Sequence, residues 1–292
     1  MRKNRHGKIR IQKLALFIVM ALCALVILIF GIGKGVSYLL GKVDTGNSPI
    51  SYYLLIGTDK EAGNEADAVI LTVWNSKDKG VTFISIPPNT KLARQEKKNQ
   101  LIRTTFSEGG AEETKSAVEN LLHLRIDKYA VLDYSNFRNY VDKIGGVNMY
   151  VEKGMDHQNR EGETDIQIRQ GYQSLDGENA LGYVRYIDKK NGEIDRIQRQ
   201  ERFLKTMIHE MQDHAALYNW FFFHHSWTAE ETNITNGEAA SLAYTLSSYP
   251  EDSFTFSILP GETQNISKVD TWVINPVEVQ KTIAQTIGSD NR

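Results

Sequence analysis

One cysteine, Cys23, in 292 residues leaves no disulfide, thiolate zinc site or cysteine nucleophile in the chain that follows it. Only 6 prolines punctuate the sequence, and no linker, repeat or low-complexity tract follows about Ser48, so the remainder reads as one continuous unit. Self-sufficient catalytic signatures are missing too: there is no Walker loop, no HExxH, no GxSxG and no dinucleotide GxGxxG. The 7 histidines do not stand at metal-binding spacing. His209 and His214 are five apart and His224 and His225 are adjacent, without a defined third ligand.

Long apolar runs are also scarce, with one exception. Leu14 to Gly33 is a stretch of 20 residues without a charge, enough for a helix to cross the roughly 30 Å of a bilayer's hydrocarbon core. The 13 residues before it carry six Lys or Arg and no acid, which places the N-terminus in the cytoplasm and sends the rest across. A cleaved signal peptide is disfavoured because the run exceeds the usual apolar length and lacks a small-x-small site. The expected organisation is a basic cytoplasmic tail (1–13), a membrane anchor (14–33), a juxtamembrane linker (34–50) and an extracytoplasmic domain (51–292) at the cell membrane. Beyond residue 33 acids outnumber bases by eight, so nucleic acid is not expected as a partner, and an anionic ligand would need a local arginine cluster.

The domain pattern is α/β. Tyr52 to Gly57, Ala68 to Trp74 and Val81 to Ile86 are short β-branched and aromatic runs bounded by Gly, Asn, Asp and Pro, and read as buried strands. Glu112 to Leu122 has helical spacing, Tyr129 to Leu132 is a further strand, and Ser135 is a candidate cap for a helix reaching Ile144. A strand at Val147 to Val151, helices over 176–186, 196–211 and 236–247, a strand over 254–259 and a helix after Pro276 complete the pattern. Such alternation predicts a central mixed β-sheet covered by helices on both faces. The aromatic run from Leu217 to Trp227 reads as core, with a groove for an acyl chain as the alternative.

Arginines supply the one constellation above background. Arg196, Arg199 and Gln200 fall within about 1.2 helical turns of each other, with Arg185 upstream and Arg202 beside them. Guanidinium forks suit phosphate oxygens. Glu193, Asp195 and Glu201 are interleaved, so a solvated, ion-paired helix face is the competing explanation.

The segment GYQSLDGENALGYVRYIDKKNGEIDRIQRQERFL resembles the signature of the LytR-CpsA-Psr family. The resemblance extends through YYLLIGTD, ADAVILTVWNSKDKGVTFISIP, TTFSEGG and AVENLLHLRIDKYAVLDYSNFRNYVDKIGGVNMYV, and more faintly to ILPG near the C-terminus. It implies a transferase that moves an anionic glycopolymer, of teichoic acid or capsular polysaccharide type, from an undecaprenyl-diphosphate carrier to peptidoglycan. Mg2+ is the implied cofactor, and a pocket for the lipid tail is implied with it. Carried over by position, the resemblance assigns catalytic roles to Asp67, Arg185 and Arg196. It assigns diphosphate binding to Arg185, Arg196, Arg199, Gln200 and Arg103, and metal binding to Asp67 and Asn89.

Several family positions differ. Glu65 stands where the family has Arg, Pro88 and Asn89 replace an Arg and an Asp, Ile187 replaces the second Arg of Arg-x-Arg, and Leu101 replaces a basic residue. Arg103 lies two residues on and would project from the same side of an extended segment. One metal-binding carboxylate has thus become an uncharged amide, and Glu65 would repel a diphosphate. A catalytically impaired member that binds lipid-linked polymer or wall-assembly partners in a regulatory role is the alternative function. The topology has a direct test: a reporter fused after Arg292 is expected to be active only outside the membrane, and protease added to intact protoplasts to remove the domain. Cytoplasmic reporter activity would contradict it.

Overall fold

A computed structural model of the chain describes residues 48–60, 63–93, 100–159, 161–188 and 192–287. The expected tail, anchor and most of the linker lie outside these residues. Among the described residues no helix is long and apolar enough to cross a membrane.

In chain order the strands are β1 (Ile50–Asp59), β2 (Glu65–Asn75), β3 (Gly80–Ser85), β4 (Lys128–Asp133), β5 (Val147–Val151), β6 (Met155–Gln158), β7 (Thr164–Ile168), β8 (Gly171–Leu175), β9 (Glu231–Thr232), β10 (Phe254–Ile258), β11 (Gly261–Ile266) and β12 (Val269–Ile274). The helices are α1 (Ile102–Leu122), α2 (Tyr134–Lys143), α3 (Gly177–Arg185), α4 (Gly192–Asp213), α5 (Ala216–Ser226), α6 (Asn236–Leu246) and α7 (Pro276–Ile287). Six strands form the central sheet in the order β10-β3-β2-β1-β4-β9. It is mixed: β1 runs antiparallel to β2 and parallel to β4.

Side-chain alternation divides this sheet between two tasks. Leu54 and Ile56 of β1 and Val69, Leu71 and Val73 of β2 point into a dry core with Ile102, Phe106, Val118 and Leu122 of α1 and Val279 of α7. Their neighbours Leu55, Gly57, Ala68 and Ile70 face the other way, into a cavity roofed by helices. A second core joins β5 to β8 with α3 and α4 through Val147, Met149, Ile166, Ile168, Tyr183 and Phe203.

Three local features depart from the sequence expectations. The helix expected from Glu112 starts ten residues earlier, at Ile102. Its first half lacks apolar periodicity, and the backbone breaks at Gly109 and Gly110, where Gly110 adopts φ +67°. Thr105 Oγ1 donates to Thr114 Oγ1 across that break at 2.9 Å. Arg103 therefore sits in the first turn of a helix, not on an extended segment. The cap of α2 is Asp133, not Ser135: its carboxylate accepts from the Asn136 N–H at 2.7 Å. β4 thus passes into α2 with no loop between them. Finally, the aromatic run forms α5, a helix with a single buried residue, Asn219, so it is not core.

Gly177, at the start of α3, packs against α2 so closely that a Cβ there would lie 2.5 Å from the Arg138 carbonyl oxygen. Its N–H also donates to the Asp142 carboxylate at 2.7 Å. Gly177→Ala is expected to destabilise the domain by about 1 to 3 kcal/mol, because overpacking outweighs the helical preference for Ala. Thermal denaturation followed by circular dichroism measures it, and a Tm equal to that of the natural chain would show that the two helices can separate freely.

Candidate active site

The helix-covered face of the sheet encloses a cavity of about 270 Å3. Its floor is Leu55, Gly57, Ala68, Ile70 and Leu132. α4 contributes Arg196, Gln200, Phe203, Leu204 and Met207, a stripe at helical spacing that runs about 16 Å from first to last. Along it the lining changes from charged to apolar. Phe137, Tyr140 and Val141 of α2, Leu181 and Val184 of α3 and Phe222 and Phe223 of α5 close most of the remaining wall.

The charged part is built around Asp67. β1 and β2 fall out of register between Gly57 and Thr58, so that Gly57 pairs with Ala68, Thr58 pairs with Ala66, and Asp67 is the extra residue of a β-bulge. A bulge re-aims a side chain and leaves its carbonyl free of the ladder. Both Asp67 groups are used here. Arg196 Nη2 donates to the Asp67 carbonyl at 2.9 Å, and Nη1 stands 3.8 Å from the carboxylate. The Tyr134 hydroxyl donates to the same carboxylate.

Arg196 is only 5% exposed. Burial works against its charge, but Glu193, whose carboxylate is 2.5 Å away, and Asp67 outweigh it and hold the guanidinium above its ordinary pKa. Burial first, and then the charge of Asp67, push the Tyr134 phenol well above its usual value. It stays a proton donor to Asp67 at any physiological pH. Arg185 lies over the Tyr134 ring, 4.6 Å from its centroid, and 4.0 Å from the buried carboxylate of Asp59.

Of the residues singled out in the sequence, Asp67, Arg185, Arg196 and Gln200 meet at this cavity. Gln200 is held by donating to the Val184 carbonyl at 3.2 Å. Arg199 is elsewhere. It is rotated about 60° around α4 from Arg196, out of the stripe, and is fully buried. There it pairs with Asp195 at 2.6 Å, donates to the Tyr186 carbonyl and stands 3.8 Å from Glu152. Lys153 and Arg202 complete this network through Asp195 and Glu152.

Arg103 and Asn89 also lie outside the cavity lining. Arg103 Nε is 3.4 Å from the Glu65 carboxylate, so the acid expected to repel a diphosphate is paired with a neighbouring base. The Asn89 amide donates to the Asp270 carbonyl at 2.8 Å, which ties it to the β11–β12 hairpin. Its Oδ1 is buried without a hydrogen-bond partner. Among the described residues no three His, Cys, Asp or Glu side chains are grouped to hold a metal. Asp67 is the one carboxylate of the cavity lining among them, and Asn89 Oδ1 does not join it there, so a cation held by Asp67 would bring most of its ligands with a phosphate substrate.

Sequence reasoning missed Asp59 and Tyr134, whereas Phe222 and Phe223 on the inner face of α5 agree with the acyl-chain groove that it held as the alternative to core. Asp59 stood in view at the end of YYLLIGTD, a carboxylate closing an apolar strand. Tyr134 carried no signal, since only the loop-free passage from β4 to α2 brings it beneath Arg185.

The LytR_cpsA_psr family model matches residues 41–287. The polyisoprenyl-teichoic acid–peptidoglycan teichoic acid transferase TagV of Bacillus subtilis is 31% identical over 178 residues, 58% of this chain and 45% of that protein. The regulatory protein MsrR of Staphylococcus aureus is 25% identical over 179 residues, 58% of this chain and 53% of that one. The chain spans about half the length of these curated relatives. The crystal structure of B. subtilis TagV shares the fold with a TM-score of 0.69 at 23% identity, over 82% of this chain and 97% of that one. A structure of TagT bound to LIIa-WTA gives 0.66 at 22% identity, over 85% and 92%. With one family model spanning the sheet, the cavity and every charged residue that lines it, the chain belongs to the LytR_cpsA_psr family.

Proposed function

We propose that the chain transfers an anionic glycopolymer from a polyprenyl-diphosphate carrier to peptidoglycan at the outer face of the cell membrane. One observation carries this reading: a single cavity joins two guanidinium groups, Arg185 and Arg196, to a stripe of Phe203, Leu204, Met207, Phe222 and Phe223. A polyprenyl diphosphate has the same division, a dianionic head on an aliphatic tail. Each buried methylene of the tail contributes about 0.8 kcal/mol, and charge-assisted hydrogen bonds hold the head.

In the reaction an acceptor hydroxyl oxygen attacks the sugar-proximal phosphorus. The bond from that phosphorus to the bridging oxygen breaks, and the lipid leaves as its monophosphate with the electron pair on that oxygen. Arg185 and Arg196 balance the charge spread over the phosphoryl oxygens. Asp67 is positioned to take the hydroxyl proton, held in place by Tyr134 and Arg196. Asp67 is the lining carboxylate that would hold Mg2+, and the metal would supply further charge neutralisation. The regulatory alternative is favoured by the small donor set: Arg199 and Arg103 are engaged elsewhere, which leaves two arginines at the head site.

Titration of the full chain in detergent with a polyprenyl diphosphate and Mg2+ tests this reading. Arg185→Ala is expected to weaken binding by about 10- to 100-fold, the loss of one charge-assisted contact worth about 1.5 to 3 kcal/mol, without loss of folding. Arg199→Ala is expected to lower the Tm instead. Asp67→Asn is expected to abolish Mg2+-dependent release of lipid phosphate while binding persists. Binding without any release by the natural chain would favour the regulatory role, and no binding at all would overturn both.

A further inference from the structure

α5 has an unusual composition for an exposed helix. Its 11 residues, Ala216–Ser226, include Tyr, Trp, three Phe and two His, with no Asp, Glu, Lys or Arg. Phe222 and Phe223 face the cavity, and Asn219 anchors the helix by donating to the Met211 carbonyl at 2.6 Å. α5 also packs against α6. Its outer face is left bare: Leu217 is 45%, Tyr218 51% and Phe221 51% exposed. The His214 and Tyr218 rings meet at a tilt with centroids 4.9 Å apart, Trp220 stacks on His224 at 4.7 Å, and the Phe221 and His225 rings lie 6.3 Å apart. A helix apolar on opposite sides has a partner on each, and the inner one is the cavity.

Three observations identify the outer partner as a lipid surface. Residues 14–33 form an apolar run of spanning length, and the 16 residues from 34 to 49 can reach at most about 55 Å when extended, so the domain is held close to a bilayer. Amphipathic rings without formal charge are the composition of the membrane interface. The inner face of the same helix walls a cavity that is apolar at that end, through Phe203, Leu204, Met207, Phe222 and Phe223. We propose that α5 is an interfacial helix whose outer face, Leu217, Tyr218 and Phe221, seats in the headgroup boundary of that membrane. The polyprenyl tail then passes from bilayer to cavity beside Phe222 and Phe223. The domain's acidic balance makes this seating apolar in origin, so it needs no anionic lipid and tolerates salt.

The route taken by the tail rests on the proposed function, whereas the seating of α5 does not, and the test separates them. The full chain carrying Cys23→Ser and either Phe221→Cys or Tyr172→Cys is labelled with a nitrobenzoxadiazole fluorophore. It is then reconstituted in phosphatidylcholine vesicles that contain acyl-chain spin labels. Tyr172, 86% exposed on β8, is the water-facing reference. The label at 221 is expected to be blue-shifted and quenched at least about twofold, and the label at 172 to show neither change. Equal behaviour at both positions overturns the proposal. So does a blue shift at 221 without quenching, which would mean burial against protein such as a second copy of the chain. The triple variant Leu217→Ser, Tyr218→Ser, Phe221→Ser is expected to bind a short-chain polyprenyl diphosphate in detergent as the natural chain does. Its capture of a long-chain one from vesicles is expected to fall about tenfold. Undiminished capture overturns the route. If the natural chain fails to bind the short-chain compound, the proposed function falls while the quenching still decides where α5 sits.

Discussion

The pairing of Arg196 with the bulge at Asp67 is the constraint on which the rest of the site depends. A guanidinium 5% exposed cannot remain buried without compensation, and removing one partner of such a pair costs about 3 to 5 kcal/mol. Here the compensation comes from the Asp67 carbonyl that the bulge frees, the Asp67 carboxylate and Glu193 one turn back on α4. The contact fixes the start of α4 against the sheet and sets the spacing of the cavity walls. It also leaves Tyr134 to hold the other side of the carboxylate. A straight, unbulged β2 would aim residue 67 differently and leave Arg196 without its carbonyl.

Two kinds of arginine follow from this arrangement. Arg185 and Arg196 face the cavity: Arg185 stands 4.0 Å from Asp59, and Arg196 is held through Nε and Nη2 by Glu193 and the Asp67 carbonyl, which leaves Nη1, 3.8 Å from the Asp67 carboxylate, to meet a ligand. Arg199 is held by Asp195 and the Tyr186 carbonyl through its two Nη groups, and belongs to a network with Lys153, Glu152 and Arg202 that joins α4 to the smaller sheets. Its conspicuous place beside Arg196 in the sequence reflects packing. The Glu65–Arg103 pair is a comparable case, since the acid is offset by a neighbouring base 3.4 Å away.

The central sheet separates stability from chemistry by the two-residue period of its strands. One face carries the dry core with α1 and α7, and the other floors the cavity. Within the covering layer α5 has neither role alone. Its inner rings close the cavity, and its outer rings are exposed in a way that an isolated soluble domain would not need.

The sequence by itself determined the α/β class, the strands of the central sheet apart from β9, the helices over the Gly177 and Arg196 regions and the family. These are written in local patterns, such as the β-branched runs of β1 to β3 and the Gly-Tyr-x-x-Leu-Asp-Gly motif. It could not determine which arginines share a cavity, because a 60° difference around α4 separates Arg199 from Arg196 and only the neighbouring elements show which side is solvent, core or site. Nor could it find β6 to β8 or the β11–β12 hairpin, short two-stranded pieces whose pairing is non-local. The position of Asp67 on a bulge, Tyr134 beneath Arg185 and the aromatic run as a two-faced helix were decided by tertiary structure. Each depends on how segments far apart in the chain pack, and residue spacing carries no record of that.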